Sequence, residues 1–407
     1  MFESCSAYHP SRMNVLFLCH CVPNPPNKGE KIRAYYEIEA LARRHQVHLA
    51  CFARNEEDLE FAEALRGRCA SVHAELLPFA SSLLRGAVQF ALGRCLNLAF
   101  FESGRMRHYV RELAAKVPFH TTIAYTLPMM PYAPPAVPIL FDMLDVDSEK
   151  WLQYGRMKRF GFLYRAEAHR IRRHELESAR KAEVTYLAAR QETALFRSLA
   201  PEANLECMEN GVDLSFFDPA IVPFPESLRS KRFVSFVGTM DYYPNIDAAC
   251  WFAREVFPKI RQRHPGTEFL VVGNNPGKAA LQLKQIPGVT VTGGVPDVRP
   301  YILHAQAVLA PLRLARGIQN KVLEALALGR NVYTTSAVAR TFGDEVPPAV
   351  HRCDSAEEYV KALEPELNRA PQWDPVVREY MRVRFSWEQN VSHMVSRLES
   401  LVYQAVG

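Results

Sequence analysis

Short runs rich in Val, Ile, Leu, Phe and Thr alternate with longer stretches of helical periodicity from one end of this chain to the other. That order is the pattern of parallel sheets covered by helices. In the first half strands are predicted at Asn14 to Leu18, Val47 to Phe52, Val72 to Leu77, Thr121 to Tyr125, Ile139 to Met143 and Val184 to Leu187. In the second half they are predicted at Phe233 to Val237, Glu268 to Val272, Val289 to Thr292, Ala307 to Ala310 and Asn331 to Thr335. Between the halves, Pro219, Pro223 and Pro225 interrupt regular patterning and mark a linker.

With 407 residues the chain is long enough for two such domains. The expected fold class is α/β, with two Rossmann-like, doubly wound parallel sheets facing a central cleft. The expected boundaries are 1–209 for the first domain, with 1–12 as a disordered extension and Met13 as a candidate natural start. Residues 210–231 form the linker, 232–385 the second domain, and 386–407 a terminal helix returning towards the first. Two domains of this kind bind ligands in loops that follow the carboxyl ends of their strands.

Several function classes fall away early. A formal charge of +5 is too mild to imply nucleic acid. Leu83 to Phe101 is the most apolar stretch, and Arg85, Gln89, Arg94 and Asn97 break it, so no membrane span is expected. The N-terminus lacks the basic and apolar blocks of a signal peptide, which points to the cytoplasm. Nine scattered cysteines without a CxxC give neither a disulfide framework nor a zinc site. Cys19, His20 and Cys21 are adjacent, but alternate strand residues face opposite ways, so no metal is expected there.

Two loops carry the chemistry. After the first strand, a proline-rich loop ends at Gly29, at the entrance to a helix where backbone amides can approach a phosphate or sugar; GxGxxG is absent, and a plain loop turn is the alternative. The stronger signal is LAPLRLARGIQNKVLEALALGRNVYTTS, Leu309 to Ser336. There a strand ends, a polar loop holds Arg313, Arg316 and Gly317, and a helix starts near Gln319 with Lys321 and Glu324 on one face. Free amides, a helix N-terminus and three cations suit a diphosphate, and the carboxylate can reach a ribose. The plainer alternative is a surface Lys-Glu pair.

These residues carry a family resemblance. GIQNKVLEALALG followed by NVYTTS resembles the G-x-x-x-K-x-x-E-A-x-A-x-G-x-P-V segment of family-4 retaining glycosyltransferases of the GT-B fold. NGVD (Asn210 to Asp213) with Phe216 resembles the segment these enzymes carry before their second domain, and FVGTMDYYPNIDAACWF resembles that domain's opening. More narrowly, FDMLDVDSEKW, GTMDYYPNIDA, RGIQNKVLEA and FSW together are similar to the sugar transferases of the PEP-CTERM/exosortase exopolysaccharide system.

The resemblance implies a nucleotide-diphosphate-sugar site in the second domain, with Gly238 in the loop after its first strand. Glu324 would hold the ribose, and the amides of Gly317, Ile318, Gln319 and Asn320 the phosphates. The base would be read at Gly293 and Val295, in the loop GGVPDV. The saccharide acceptor, lipid-linked in such a system, would enter over the first domain, near Gly29, Thr126, Asp142 and Asp145. No cofactor beyond the donor is implied.

The sequence departs from the family in three places. The first glutamate of the family's E-x7-E falls on Arg316. The GTMDYYPN loop has neither the Arg nor the Lys that relatives use on the diphosphate, so Arg313, Arg316 and Lys321 are the expected replacements, with Arg313 and Lys321 assigned the catalytic charge. After TTIAYT no histidine follows, so proton removal by such a residue is not expected. A leaving phosphate can take the acceptor proton itself, and catalysis then rests on positioning. Asp142, Asp145 and Asp147 could pass for a metal-binding motif, but the GT-B architecture usually manages the diphosphate without a metal, and acceptor binding, interdomain contact or a helix cap by Asp147 are the alternatives.

From Lys150 to Lys181 there are ten Lys and Arg against three Glu, net +7, with Trp151, Phe160, Phe162 and Tyr164 interleaved. An anionic membrane surface is the partner such helices suit, and a solvated helix face is the alternative. The expected function is therefore glycosyl transfer. The rivals are a catalytically silent nucleotide-sugar-binding or partner subunit, and a nucleotide-sugar epimerase.

Overall fold

The computed structural model describes residues 12–26, 29–157, 159–315, 317–343 and 345–406. The expected extension at residues 1–12 lies almost wholly outside them, and so does Arg316. Among the described residues the chain divides into two compact units with one sheet each. The first runs to Ala188, takes Glu192–Met208 and resumes at Val391; the second holds Ala189–Gln191 and Glu209–Asn390.

The first sheet contains β1 (Asn14–Cys19), β2 (Gln46–Ala53), β3 (Ser71–Leu76), β4 (Thr121–Tyr125), β5 (Ile139–Leu144), β6 (Val184–Leu187) and β7 (Leu205–Cys207), in the order β3-β2-β1-β4-β5-β6-β7. The second contains β8 (Arg232–Val237), β9 (Thr267–Val272), β10 (Val289–Gly293), β11 (Ala307–Ala310), β12 (Val332–Thr334) and β13 (Val350–Arg352), in the order β10-β9-β8-β11-β12-β13. Every ladder is parallel. Helices cover both faces of such sheets, which explains why Val15 to Cys19 and Phe233 to Phe236 are buried without alternation.

β7 and β13 were not foreseen; each is three residues long and closes an edge, too short to carry a period. The stretch read as a linker belongs to the second unit. Val212 donates its N–H to Phe385 O at 2.8 Å, and Phe217 and Leu228 are buried in the second core. Its prolines start structure there, since Pro219 begins a 3-10 turn and Pro225 precedes the short helix Glu226–Arg229. The last helix, Trp387–Val406, buries Val391, Met394, Val395 and Leu398, a helical stripe, within the first unit.

Both sheets have a reversal of strand order beside their first strand, between β1 and β4 and between β8 and β11. Loops on either side of such a reversal part at the carboxyl ends of the strands and leave a crevice. Gly29 and Thr126 follow the strands of the first reversal, and Gly238, Arg313, Lys321 and Glu324 those of the second; Asp142 and Asp145 lie on and after β5, and Gly293 and Val295 at the end of β10, the sheet edge.

Candidate active site

In the second unit, the loops after β8 and β11 meet through side chains. The helix Asn320–Ala327 follows the β11 loop and supplies Lys321 from its first turn. Lys321 Nζ donates to Asn245 Oδ1 at 2.9 Å, and buried Asn245 donates its Nδ2 to Thr239 O at 2.9 Å. A Cβ on Gly238 would stand 2.8 Å from Asn245 Nδ2 and 3.1 Å from Lys321 Cε. A bare backbone at 238 thus lets the lysine lie against the end of β8. The loop that lacks a cation of its own receives one from the helix after β11.

Electrostatics set this pair apart from a surface Lys-Glu. Both Lys321 and Glu324 are half-buried. Enclosure lowers the Lys321 ammonium to about 8 against the pull of Glu324, and raises the Glu324 carboxyl to about 7 against the pull of Lys321. The Glu324 carboxylate has no hydrogen-bond partner among the described residues. Gln319 makes no side-chain cap to the helix, and Gly317 stands at φ 62° just before it. Asn210 Nδ2 donates to Asn320 Oδ1 at 3.1 Å, so the NGVD segment braces the helix start.

Arg313 is placed differently. Its guanidinium grips Asp247 through Nε at 3.0 Å and Nη2 at 2.5 Å, which raises its pKa further. Lys321 and Arg313 thus both fasten to the helix Tyr243–Trp251. The loops after β8, β9 and β10 are laced by backbone: Gly238 N to Val272 O at 2.9 Å, Met240 N to Asn274 O at 2.8 Å and Gly273 N to Gly293 O at 3.1 Å. Gly293 has φ 75°, and half-buried Val295 packs against the core nearby.

In the first unit, Thr126 stands at φ 72° after β4, its N–H on Asp142 O at 2.8 Å and its hydroxyl 3.0 Å from Nδ1 of His20. His20 comes from the loop after β1, stacks on Tyr125 with ring centres 5.8 Å apart, and has its pKa lowered by burial. The histidine beside Thr126 thus comes not from the segment after β4 but from 106 residues upstream. Exposed Gly29 opens the helix Gly29–Ala42, and Tyr125 donates its hydroxyl to Glu30 O at 2.7 Å.

Asp142 requires a correction. It is fully buried, and both its oxygens accept from Arg33, each at 2.7 Å. Arg33 also meets Glu37 at 3.0 Å and Met208 O. With its lone pairs spent on a buried guanidinium, Asp142 anchors the sheet to the first helix and has no surface for an acceptor. Half-buried Asp145 sits in the turn after β5. Asp147 begins the helix Asp147–Met157 as a first-turn residue; the caps come from Glu192, on Val146 N at 2.9 Å, and Glu175, on Ser148 N at 3.0 Å.

Cys19, His20 and Cys21, expected to face opposite ways, in fact converge. Their candidate ligand atoms lie within 4.8 Å of one another, and the two sulfurs are 4.0 Å apart. β1 ends at Cys19 and the chain bends, so strand alternation no longer applies. Burial and the Cys19 contact raise the Cys21 thiol well above its ordinary range.

Residues 231–367 match the family described as glycosyl transferases group 1. Sucrose-phosphate synthase from Thermosynechococcus elongatus shares 15% identity at a TM-score of 0.65, covering 97% of this chain and 100% of that one. HepE of Anabaena, solved with UDP and glucose, shares 13% at 0.63, covering 96% and 100%. WaaG, a glycosyltransferase involved in lipopolysaccharide biosynthesis, shares 17% at 0.58, covering 96% and 98%. No curated protein matches the sequence. The chain has the GT-B fold of glycosyltransferases, and its second unit carries a group 1 glycosyl transferase domain.

Proposed function

We propose that this protein transfers a sugar from a nucleotide-diphosphate donor, with retention at the anomeric carbon, to a lipid-linked saccharide in exopolysaccharide assembly. The observation that carries the reading is the juxtaposition of Lys321, Asn245 and Gly238 at the β8/β11 reversal, with Glu324 one turn further along the same helix. A diphosphate leaving group gains negative charge as its glycosidic bond breaks. An ammonium beside an uncapped helix start and a glycine-lined loop meets that charge without a metal. Glu324 accepts from the ribose hydroxyls, and the loops at Gly238 and Gly293 to Val295 receive the base.

Retention follows if the acceptor hydroxyl attacks from the face the diphosphate leaves, with a phosphate oxygen taking the proton. Arg313 then acts through Asp247, which fixes the helix that holds Asn245. Neutral His20 and Thr126 line the acceptor side of the first unit. HepE was solved with UDP and glucose, which makes uridine donors the first to try. We place the protein in the cytoplasm, on the inner face of the plasma membrane, within a system like that of the PEP-CTERM proteins.

The test incubates the protein with UDP-, GDP-, CDP- and TDP-sugars, with and without a lipid extract, and follows nucleotide release and the anomeric configuration of the product. Acceptor-dependent release from one donor with a retained anomer is expected. Release of an epimer without acceptor would identify an epimerase. A nucleotide-induced thermal shift with no turnover under any acceptor would identify a silent binding subunit, the rival that Arg316 at the family's first glutamate position suggests.

A further inference from the structure

Two thiols and an imidazole meet at the end of β1, and the donor site uses none of them. Cys19 is the last residue of the strand, between its register partners Cys51 on β2 and Tyr125 on β4. In a straight strand Cys19 and Cys21 would share one face and His20 would point to the other. The chain bends at His20 and Cys21 instead, which brings the imidazole round to the sulfurs. The sulfurs stand 4.0 Å apart, and the three ligand atoms lie within 4.8 Å of one another. Both thiols are buried, Cys19 fully and Cys21 at 2% exposure.

Spacing decides what this cluster suits. A disulfide needs its sulfurs at ~2.05 Å, so the pair would have to close by about 2 Å. Tetrahedral zinc, with ~2.3 Å to sulfur and ~2.0 Å to nitrogen, separates two sulfurs by ~3.8 Å and sulfur from nitrogen by ~3.5 Å. The sulfurs already stand near the zinc spacing, and the imidazole has at most about 1.3 Å to close. Charge agrees with the spacing. Two thiolates balance a dication, so the buried centre carries no net charge, and soft sulfur ligands favour zinc over the hard cations that prefer oxygen. His20 is also oriented from behind, as ligating histidines are: the Thr126 hydroxyl lies 3.0 Å from its Nδ1 and Tyr125 stacks on its ring.

We infer that Cys19, His20 and Cys21 bind one zinc ion, with its fourth position taken by water. The ion fastens the chain after β1 to the end of the strand and fixes the imidazole beside Thr126, on the acceptor side of the first unit. It is a structural ion and no partner of the diphosphate, which Lys321 meets in the second unit. The inference therefore stands or falls apart from the donor reading. Plain packing of two buried thiols is the competing account, and it predicts no metal.

The test is the zinc content, by plasma mass spectrometry, of the full chain expressed with added zinc and dialysed with a phosphine reductant. About one zinc per chain is expected in wild type and in Cys250→Ser, whose thiol is half-buried in the second unit, and less than about a tenth of that in Cys19→Ser with Cys21→Ser. Cobalt in place of zinc should give a thiolate charge-transfer band in wild type that the double variant lacks. Thr126→Ala keeps all three ligands and so tests the site where the double variant fails to fold: its zinc affinity, read by competition with a chromophoric chelator, should fall roughly 10-fold. Wild type that holds no zinc as purified and takes up none on refolding with it would overturn the inference. So would uptake of Cu(I) alone, or a double variant that keeps its zinc.

Discussion

Lys321 Nζ lies 2.9 Å from Asn245 Oδ1, and through that bond the helix after β11 is tied to the helix after β8. Asn245 is in turn fixed by its own bond to Thr239 O. The lysine is therefore held at the strand reversal by a neutral partner. It keeps its charge for a ligand, and with Glu324 it gives a crevice whose two ionisable groups are both shifted towards neutrality.

These shifts predict a narrow pH window for donor use. Glu324 must be ionised to accept from a ribose, so kcat/KM should fall as pH drops below about 7; Lys321 must be charged, so it should fall again above about 8. Lys321→Met should cost roughly 10-fold or more in kcat/KM and remove the alkaline limb. A wild-type profile flat across this range would contradict the assignment.

Stability should respond in the opposite sense to activity at Glu324. Its pKa in the folded chain is raised above the unfolded value of 4.5, so the folded state holds this proton more tightly. The stabilisation is fully present in acid and is lost as pH rises through about 7. At pH 8 the ionised carboxylate costs about 3 kcal/mol, and Glu324→Gln should return most of that in urea unfolding while weakening nucleotide binding. A Gln variant less stable than wild type at that pH would refute it.

Two glycines of the donor loops should separate stability from binding. A Cβ on Gly273 would stand 1.9 Å from Gly238 O, where the backbone must move, and its φ of 153° disfavours any side chain. Gly273→Ala should cost about 3 kcal/mol, read as a lowered melting temperature. At Gly238 the added methyl meets side chains, Asn245 Nδ2 and Cγ and Lys321 Cε, which can give more than backbone, so Gly238→Ala should lower the melting temperature less than Gly273→Ala yet bind nucleotide several-fold more weakly.

Arg33 should prove structural. Arg33→Met would leave Asp142 buried without its partner and Glu37 beside it, costing about 3–5 kcal/mol. Where the variant remains folded, nucleotide affinity in the second unit should match wild type. A large affinity loss in a fully folded Arg33→Met protein would place this cluster in the donor site instead.

The alternation of strands and helices was legible because buried parallel strands need unbroken apolar runs, and eleven of them can be read directly from the chain. β7 and β13 could not be read, since three-residue edges are made by their neighbours. Lys321 and Glu324 stood out through local spacing on a glycine-led helix. Asn245 and His20 did not, because their importance arises from contacts 76 and 106 residues away. Asp142 misled for the same reason: its partner Arg33, on a helix where an arginine ordinarily faces water, is 109 residues distant. Arg313 was rightly seen in the β11 loop, but the grip of Asp247 was invisible.

The most direct test is calorimetric titration of UDP, GDP, CDP and TDP into wild type and Lys321→Ala at pH 7.5, between the two shifted pKa values. One nucleoside diphosphate should bind wild type and lose roughly 10-fold or more in affinity in the variant. Failure of all four to bind, or equal affinity in the two proteins, would contradict the placement of the donor diphosphate beside Lys321.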